Sequence, residues 1–105
     1  MLNKMTEMEI IEIAIENAQD MYSQMENDEI CPNTGCSISI PSKNNVEKLK
    51  LIAEKYEFVQ NVEIKYDEVF EEYTLDVDFS HELSCYNTLV FEMYLYAKND
   101  YGFNN

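Results

Sequence analysis

The chain of 105 residues contains no arginine, and its seven lysines face 21 acidic residues, for a formal net charge of −14 at pH 7. Such a surplus of negative charge opposes direct binding to nucleic acid or to an anionic membrane, and it favours a basic partner. Glycine is scarce as well, since Gly35 and Gly102 are the only two. The sequence therefore has neither a Walker loop nor a dinucleotide fingerprint, the glycine-rich motifs that bind phosphate groups.

Long hydrophobic runs are also missing. Residues 1–9 lack the apolar core of a signal peptide, and no segment approaches the length of a membrane span. The three cysteines, an odd number, fit a reducing compartment better than a disulfide framework. We therefore expect a cytoplasmic protein, in its own cell or in the cytosol of a host that it enters. With 46% hydrophobic residues the chain can bury one core, so residues 1–105 should form a single domain.

Apolar and polar residues alternate in two neighbouring segments, with the period of two that is typical of half-buried β-strands. The apolar positions are Val62, Ile64, Tyr66, Tyr73, Leu75, Val77 and Phe79. The positions between them carry mostly carboxylates. Only the short acidic stretch 67–72 joins the two segments, so we expect an antiparallel hairpin with one apolar and one anionic side.

A first helix is predicted before this hairpin, over about residues 7–27, beginning at a capping box formed by Thr6 and Glu9. Its apolar residues share one face, and a stripe of carboxylates lies on the opposite face. No lysine stands three or four residues away to neutralise the stripe, so it costs helix stability. This favours a binding role for the stripe over the alternative, an ordinary solvated helix face.

Two further helices are predicted over about residues 43–56 and 81–99, and a short strand over residues 37–40 precedes the first of them. Ser80 is expected to cap the last helix, with Gly102 as a stop signal just beyond it.

The order of elements is helix, strand, helix, strand, strand, helix, which defines an α+β fold with a three-stranded sheet packed with helices. A right-handed crossover makes the first two strands parallel, with the third antiparallel between them. This arrangement resembles a truncated ferredoxin-like unit with an added N-terminal helix. The last helix has a wide apolar face and a second apolar strip through Phe91 and Leu95. We expect it to lie between the sheet and the first helix; the alternative is a homodimer seam.

Charge is distributed unevenly along the chain. Residues 57–82 carry nine acids and one lysine and residues 1–30 carry eight acids and one lysine, whereas residues 31–56 carry four lysines and two acids. Acidity that served solubility alone would extend to the second helix. Carboxylates two apart on a strand lie about 6.6 Å apart, and those three or four apart on a helix about 5 to 6 Å, which is on the scale of the phosphate spacing in a nucleic-acid strand.

We therefore interpret the carboxylates as phosphate surrogates that bind a basic nucleic-acid-binding protein. The predicted partner-binding residues are Glu63, Asp67, Glu68, Glu71, Glu72, Asp76 and Asp78, with a second patch of Glu9, Glu12, Glu16 and Asp20.

The chain resembles the small acidic anti-defence inhibitors encoded by phages, including anti-CRISPR proteins that act as DNA mimics. The resemblance is one of composition over the whole chain: small size, strong acidity, one domain and no catalytic motif. It implies a stoichiometric inhibitor that blocks a nuclease or its nucleic-acid channel. Two alternatives are an immunity protein or antitoxin that neutralises a basic toxin, and a small structural or regulatory domain that dimerises through its C-terminal helix.

The sequence also contains two patterns that resemble sets of metal ligands. Asp76 and Asp78 resemble the paired aspartates that hold magnesium in nucleotidyltransferases, but the glycine-rich phosphate turn of those enzymes is missing, so we expect no enzyme activity. Cysteine and histidine spacing gives a zinc-like pattern. Its members are Cys31, Cys36, His81 and Cys85. We expect no cofactor, with the cysteines buried as small hydrophobic residues. The alternative is a structural zinc ion bound by these four residues.

Overall fold

The computed structural model describes residues 5–24, 33–83 and 85–103. Its elements are α1 (Glu7–Gln24), β1 (Asn33–Ile40), α2 (Lys43–Ala53), β2 (Val59–Asp67), β3 (Glu72–Leu83), α3 (Cys85–Ala97) and a closing π-helical turn (Lys98–Gly102). The predicted α+β class and the predicted order of helices and strands are confirmed.

The sheet has the strand order β1-β3-β2, and β3 is antiparallel to both neighbours. β1 and β2 are therefore parallel, as the predicted right-handed crossover through α2 requires. In the middle of the sheet, Leu75 lies opposite Ile38 on β1 and Ile64 on β2. The next position along each strand is polar. The sheet consequently has one apolar and one polar side, which follows directly from the alternation in the sequence.

Local capping signals set two helix starts. The Thr6 backbone N–H donates to Glu9 Oε1 at 2.8 Å, and the Glu9 N–H donates to Thr6 Oγ1 at 3.2 Å, which confirms the capping box of α1. Ser42 caps α2, because its hydroxyl oxygen accepts the Asn45 N–H at 3.1 Å. These bonds satisfy backbone donors that the first helical turn leaves without partners.

Helices cover the apolar side of the sheet. α2 packs on β2 and β3, α3 packs on β1, and α1 packs on α3, so α3 lies between the sheet and α1 as predicted. Phe91 is buried, with its ring edge-on to the rings of Phe58 and Phe79 at centroid distances of 5.4 and 5.7 Å. Leu95 is fully buried. The apolar strip that suggested a homodimer seam therefore lies inside the single chain.

Polar contacts connect these layers. The Ser39 backbone N–H on edge strand β1 donates to the Tyr96 hydroxyl oxygen of α3 at 3.1 Å. At the start of α1, Glu7 accepts the Tyr94 hydroxyl and lies 2.9 Å from Lys98 Nζ. The hydrogen bonds from Tyr94 and Lys98 lower the pKa of Glu7, although burial opposes them. The Glu7 carboxylate thus fixes α1 to α3 and the turn after it.

The prediction for the start of the last helix was wrong. β3 continues through Leu83, which pairs with Asn33, and α3 begins only at Cys85. Ser80 lies within β3, where its N–H and its hydroxyl both donate to the Phe58 carbonyl oxygen, at 2.7 and 3.3 Å. Pairing with the adjacent segment of the sheet outweighs a local capping signal, because strand formation depends on tertiary partners.

Other boundaries shift in smaller ways. β1 begins at Asn33 rather than at residue 37, and α2 ends at Ala53 rather than near residue 56. Gly102, expected just beyond the last helix, is instead the buried end of the π-helical turn. A Cβ atom there would lie 2.8 Å from Lys98 Cδ, so a larger residue would force the Lys98 side chain to shift.

Leu75 tests the placement of the core. It is fully buried at the centre of the sheet, so Leu75→Ala should lower the free energy of unfolding by about 2 to 5 kcal/mol through lost burial and a residual cavity. Urea denaturation at neutral pH measures this loss. The matched control is Leu51→Ala on α2, where the side chain is 64% exposed, and its effect should stay within about 0.5 kcal/mol. Similar losses in both variants would contradict the one-sided core.

Candidate functional site

The side of the sheet opposite the helices is open among the described residues, and it is the first part of the candidate site. Its side chains come from all three strands: Ser37, Ser39, Glu63, Lys65, Thr74, Asp76 and Asp78. They share this side because alternate residues of a strand point in the same direction. We call this surface the open face; it carries three carboxylates and one lysine, and at the hairpin end the paired residues Asp67 and Glu72 continue the same side of the sheet.

Asp76 lies at the centre of the open face, between Ser37 on β1 and Glu63 on β2. The Ser37 hydroxyl donates to Asp76 Oδ1, and Lys65 Nζ lies 3.2 Å from Oδ2. The Ser37 hydrogen bond and the Lys65 ammonium hold the pKa of Asp76 below its ordinary value, against the opposing effect of burial. Asp76 is therefore ionised at neutral pH, but both of its oxygens already have partners within the protein.

Lys65 is the one described lysine on the open face. Its ammonium nitrogen lies 3.2 Å from Asp76 Oδ2 and 3.8 Å from Glu63 Oε1. The hydrogen bond to Asp76 is the main reason that the pKa of Lys65 is raised, and the charges of Glu63 and Asp78 add to the effect. Lys65 thus reduces the negative charge of the open face without cancelling it, because it stands against three carboxylates.

The tip of the β2–β3 hairpin is the second part of the site. Asp67 Oδ1 accepts the backbone N–H groups of Val69 at 2.9 Å and of Phe70 at 3.3 Å. Such a turn, closed by an aspartate side chain, is a usual way to end a hairpin. Glu71 completes it with a φ of 52°, in the left-handed region. The Asp67 carboxylate is therefore engaged in holding the turn, whereas Glu68 and Glu71 are exposed.

Of the seven predicted carboxylates on the hairpin and the sheet, five form no ion pair with any lysine in the described part of the chain: Asp67, Glu68, Glu71, Glu72 and Asp78. Two of the three lysines of α2 contact groups elsewhere. Lys50 lies 3.8 Å from Glu54 within the same helix, and the Lys48 ammonium lies 5.2 Å from the ring centroid of Phe103. The hairpin therefore keeps its unpaired negative charge.

The acidic stripe of α1 is a separate surface. Glu9, Glu12, Glu16 and Asp20 are all exposed. The buried residues of α1, Ile10, Ala14 and Ala18, lie on the opposite side of the helix. Because α1 belongs to the helical side of the molecule, the stripe and the open face point in different directions. The structure therefore does not bring the two predicted patches together, and one flat partner surface cannot contact both.

The predicted zinc ligands are only partly described. Cys31 lies outside the described residues, and of His81 and Cys85 only the backbone is described. His81 belongs to β3, so the two residues are not one helical turn apart, as the spacing had suggested. Cys36 packs against the core, and burial, with the charges of Glu92 and Asp76, raises its pKa to about 12. The zinc site stays a prediction.

Asp76 and Asp78 do share one side of β3, as a pair of magnesium ligands would. However, hydrogen bonding to Ser37 and Lys65 occupies both oxygens of Asp76. Within the described ranges, no group of three or more histidine, cysteine or acidic residues is arranged to hold a metal ion.

Six residues of the site were not predicted as site residues: Ser37, Ser39, Lys65, Thr74, Val69 and Phe70. Ser37 bonds to Asp76, and the alternation of Ser37 and Ser39 with the isoleucines of β1 is a signal that could have placed it on the open face. Val69 and Phe70 were treated only as part of the connecting stretch, yet their side chains are 83% and 71% exposed. The sequence pattern that could have identified them is a pair of adjacent apolar residues in an acidic turn, where the alternation of the strands has ended.

No protein-family model, curated protein or solved structure matches this chain. None of the helices within the described ranges combines the length and the apolar character needed to cross a membrane. A function must therefore be argued from the physical character of the surface itself.

Asp76 provides a test of the polar network. Asp76→Asn should lower the free energy of unfolding at neutral pH by about 1 kcal/mol, because it removes an ionised acceptor from a partly exposed network. The pKa of Asp76 is lower in the folded than in the unfolded protein. Its contribution is therefore present above the ordinary carboxyl pKa and is lost as the pH falls through the folded-state value. Urea denaturation at several pH values should show the difference from wild type vanishing in acid.

Asp78→Asn is the matched control, since Asp78 lies on the same strand and the same side without an ion pair to a described lysine. It should leave the stability unchanged or raise it slightly, because one source of repulsion is removed. A larger loss for Asp78→Asn than for Asp76→Asn would contradict the described network.

Proposed function

We propose that this protein is a stoichiometric inhibitor that binds a basic nucleic-acid-binding protein, with CRISPR and other defence nucleases as the class that fits best. The binding surface is the open face together with the hairpin tip. One observation carries the proposal: on the uncovered side and end of the sheet, Glu68, Glu71, Glu72 and Asp78 form no ion pair with a described lysine, and Lys48 and Lys50 of α2 contact other groups. In this proposal the protein acts in the cytosol of the cell that contains its partner.

Electrostatics explains how such a surface would compete with nucleic acid. Lysines and arginines that line a nucleic-acid channel are spaced for phosphates, and a rigid row of carboxylates supplies charge of the same sign on a similar scale. Complementary potentials accelerate the encounter and orient the two proteins. Because the carboxylates stand on hydrogen-bonded strands, little backbone entropy is lost on binding. Binding should weaken steeply as salt is added.

The residues of the surface have different roles in this proposal. Glu63, Glu71, Glu72 and Asp78 are the phosphate surrogates in this proposal. Glu71, Glu72 and Asp78 form no ion pair with a described lysine, and Glu63, paired with Lys65 at 3.8 Å, keeps a side chain that is 59% exposed. Asp76 and Asp67 position them, through the sheet network and the hairpin turn. The stripe on α1 is a second acidic surface that a large, enclosing partner could also contact. No catalytic step and no cofactor enter the proposal.

The same surface suits an immunity protein or an antitoxin that neutralises a basic toxin. The physical requirement is identical, namely a partner whose positive surface serves to bind nucleic acid. The two functions differ only in the partner. An inhibition assay against both defence nucleases and nuclease toxins therefore distinguishes them.

A cleavage assay with purified components tests the proposal. The chain is titrated into RNA-guided defence nucleases and into basic nuclease toxins, and the cut DNA or RNA is quantified. Wild type should inhibit at least one of them with an end point at one inhibitor per nuclease. The variant Glu63→Gln, Glu71→Gln, Glu72→Gln, Asp78→Asn should need at least about tenfold more protein, because each lost interfacial ion pair is worth on the order of 1 kcal/mol.

The matched control changes the charge by the same amount on the other side of the molecule: Glu9→Gln, Glu12→Gln, Glu16→Gln and Asp20→Asn. Glutamine preserves the capping box of α1, so the helix should remain intact. This variant should inhibit almost as well as wild type. Equal weakening of both variants would show that net charge alone matters, and no inhibition of any nuclease at tenfold molar excess would overturn the proposal.

A further inference from the structure

The end of the hairpin exposes two adjacent apolar side chains, Val69 and Phe70, of which 83% and 71% remain accessible. Other exposed large apolar residues within the described ranges occur singly, for example Met8 on α1 and Leu51 on α2. Single exposed residues are normal on a protein surface. A consecutive pair at the end of a hairpin is a different feature, because two neighbouring apolar side chains form one exposed apolar patch.

The tip that carries this pair is ordered rather than loose. Asp67 Oδ1 accepts the N–H groups of both Val69 and Phe70, so the backbone that presents the two side chains is fixed by its own hydrogen bonds. Below the tip, the rings of Tyr66 and Tyr73 pack together at a centroid distance of 4.8 Å. Tyr66 is still 52% exposed, so the rest of the chain leaves this end of the hairpin largely uncovered. Because the backbone at the tip is already fixed in the free protein, little conformational entropy is lost when the two side chains bind a partner.

Charge around the tip limits the class of partner. Glu68 and Glu71 flank the apolar pair, Glu72 follows, and no lysine in the described ranges forms an ion pair with any of the three. An anionic membrane or a nucleic acid would be repelled by this rim. A protein surface with apolar side chains among lysines and arginines is complementary to both parts of the tip.

We propose that Val69 and Phe70 are an apolar anchor, which docks onto an apolar patch or pocket bordered by lysine and arginine on a partner protein. The docking rests on the proposed function, because it specifies how the acidic surface holds its basic partner. Charge provides long-range attraction and orientation, and the anchor provides the short-range contact that excludes water. Interfaces commonly concentrate their affinity in such a central apolar residue surrounded by polar contacts.

Two labelled lysine-rich peptides of equal charge test the anchor in isolation, one with a pair of leucines at its centre and one with a pair of serines there. Affinity is measured by fluorescence anisotropy at low salt. Wild type should bind the leucine peptide about tenfold more tightly, as burial of a modest apolar area predicts. The variant Val69→Ser, Phe70→Ser should bind both peptides equally, with the affinity that wild type has for the serine peptide.

Leu51→Ser is the matched control, because Leu51 is about as exposed as Phe70 but lies on α2. It should keep the preference for the leucine peptide. Both variants should unfold at the same urea concentration as wild type, since exposed side chains are changed.

The remaining outcomes separate the anchor from the function on which it rests. Equal binding of both peptides by wild type, or a preference that survives Val69→Ser, Phe70→Ser, overturns the anchor and leaves the acidic surface intact. Binding of neither peptide overturns the proposed function and the anchor together. Uncharged phosphatidylcholine vesicles are the third probe. Binding to them that is lost in the double variant would assign the tip to a membrane and overturn the protein partner.

Discussion

The structure depends on the one-sidedness of strand β3. Leu75 and Val77 are buried against the helices, and Asp76 and Asp78 point to the other side. Because the side-chain period of a strand is two, a shift of one residue would bury carboxylates and expose leucine. Burial of the apolar side therefore fixes the register. The placement of negative charge on the open face is a consequence of the same packing.

This constraint explains why the carboxylates are not equivalent. Asp76, in the middle of the sheet, is surrounded by neighbouring strands, and it needs Ser37 and Lys65 to offset the repulsion of nearby acids. At the end of the hairpin, Glu72 lies opposite Asp67 and next to Glu71, and neither Glu71 nor Glu72 forms an ion pair with a described lysine. The surface therefore has internal pairing at its centre and unpaired charge at its periphery, which is the division that the proposed binding of a basic partner requires.

Much of the fold could be predicted from local patterns, and the failures have physical causes. The alternation of β2 and β3 and the Thr6 to Glu9 capping box each depend on residues close together in sequence. The start of α3 could not be found in this way, because Ser80 is a good helix cap that bonds to Phe58 across the sheet instead. The carboxylates of the site were predicted as residues, but their separation into two surfaces depends on how α1 packs, which no local pattern shows.

Carboxylate footprinting of the complex with an inhibited nuclease tests the central claim most directly. A carbodiimide reagent labels accessible acids, and mass spectrometry compares the free and bound chain. The account predicts that Glu63, Glu71 and Asp78 become protected, while Glu12 and Glu16 on α1 are labelled as before. Protection of the α1 stripe with unchanged labelling of the hairpin and the open face would contradict it.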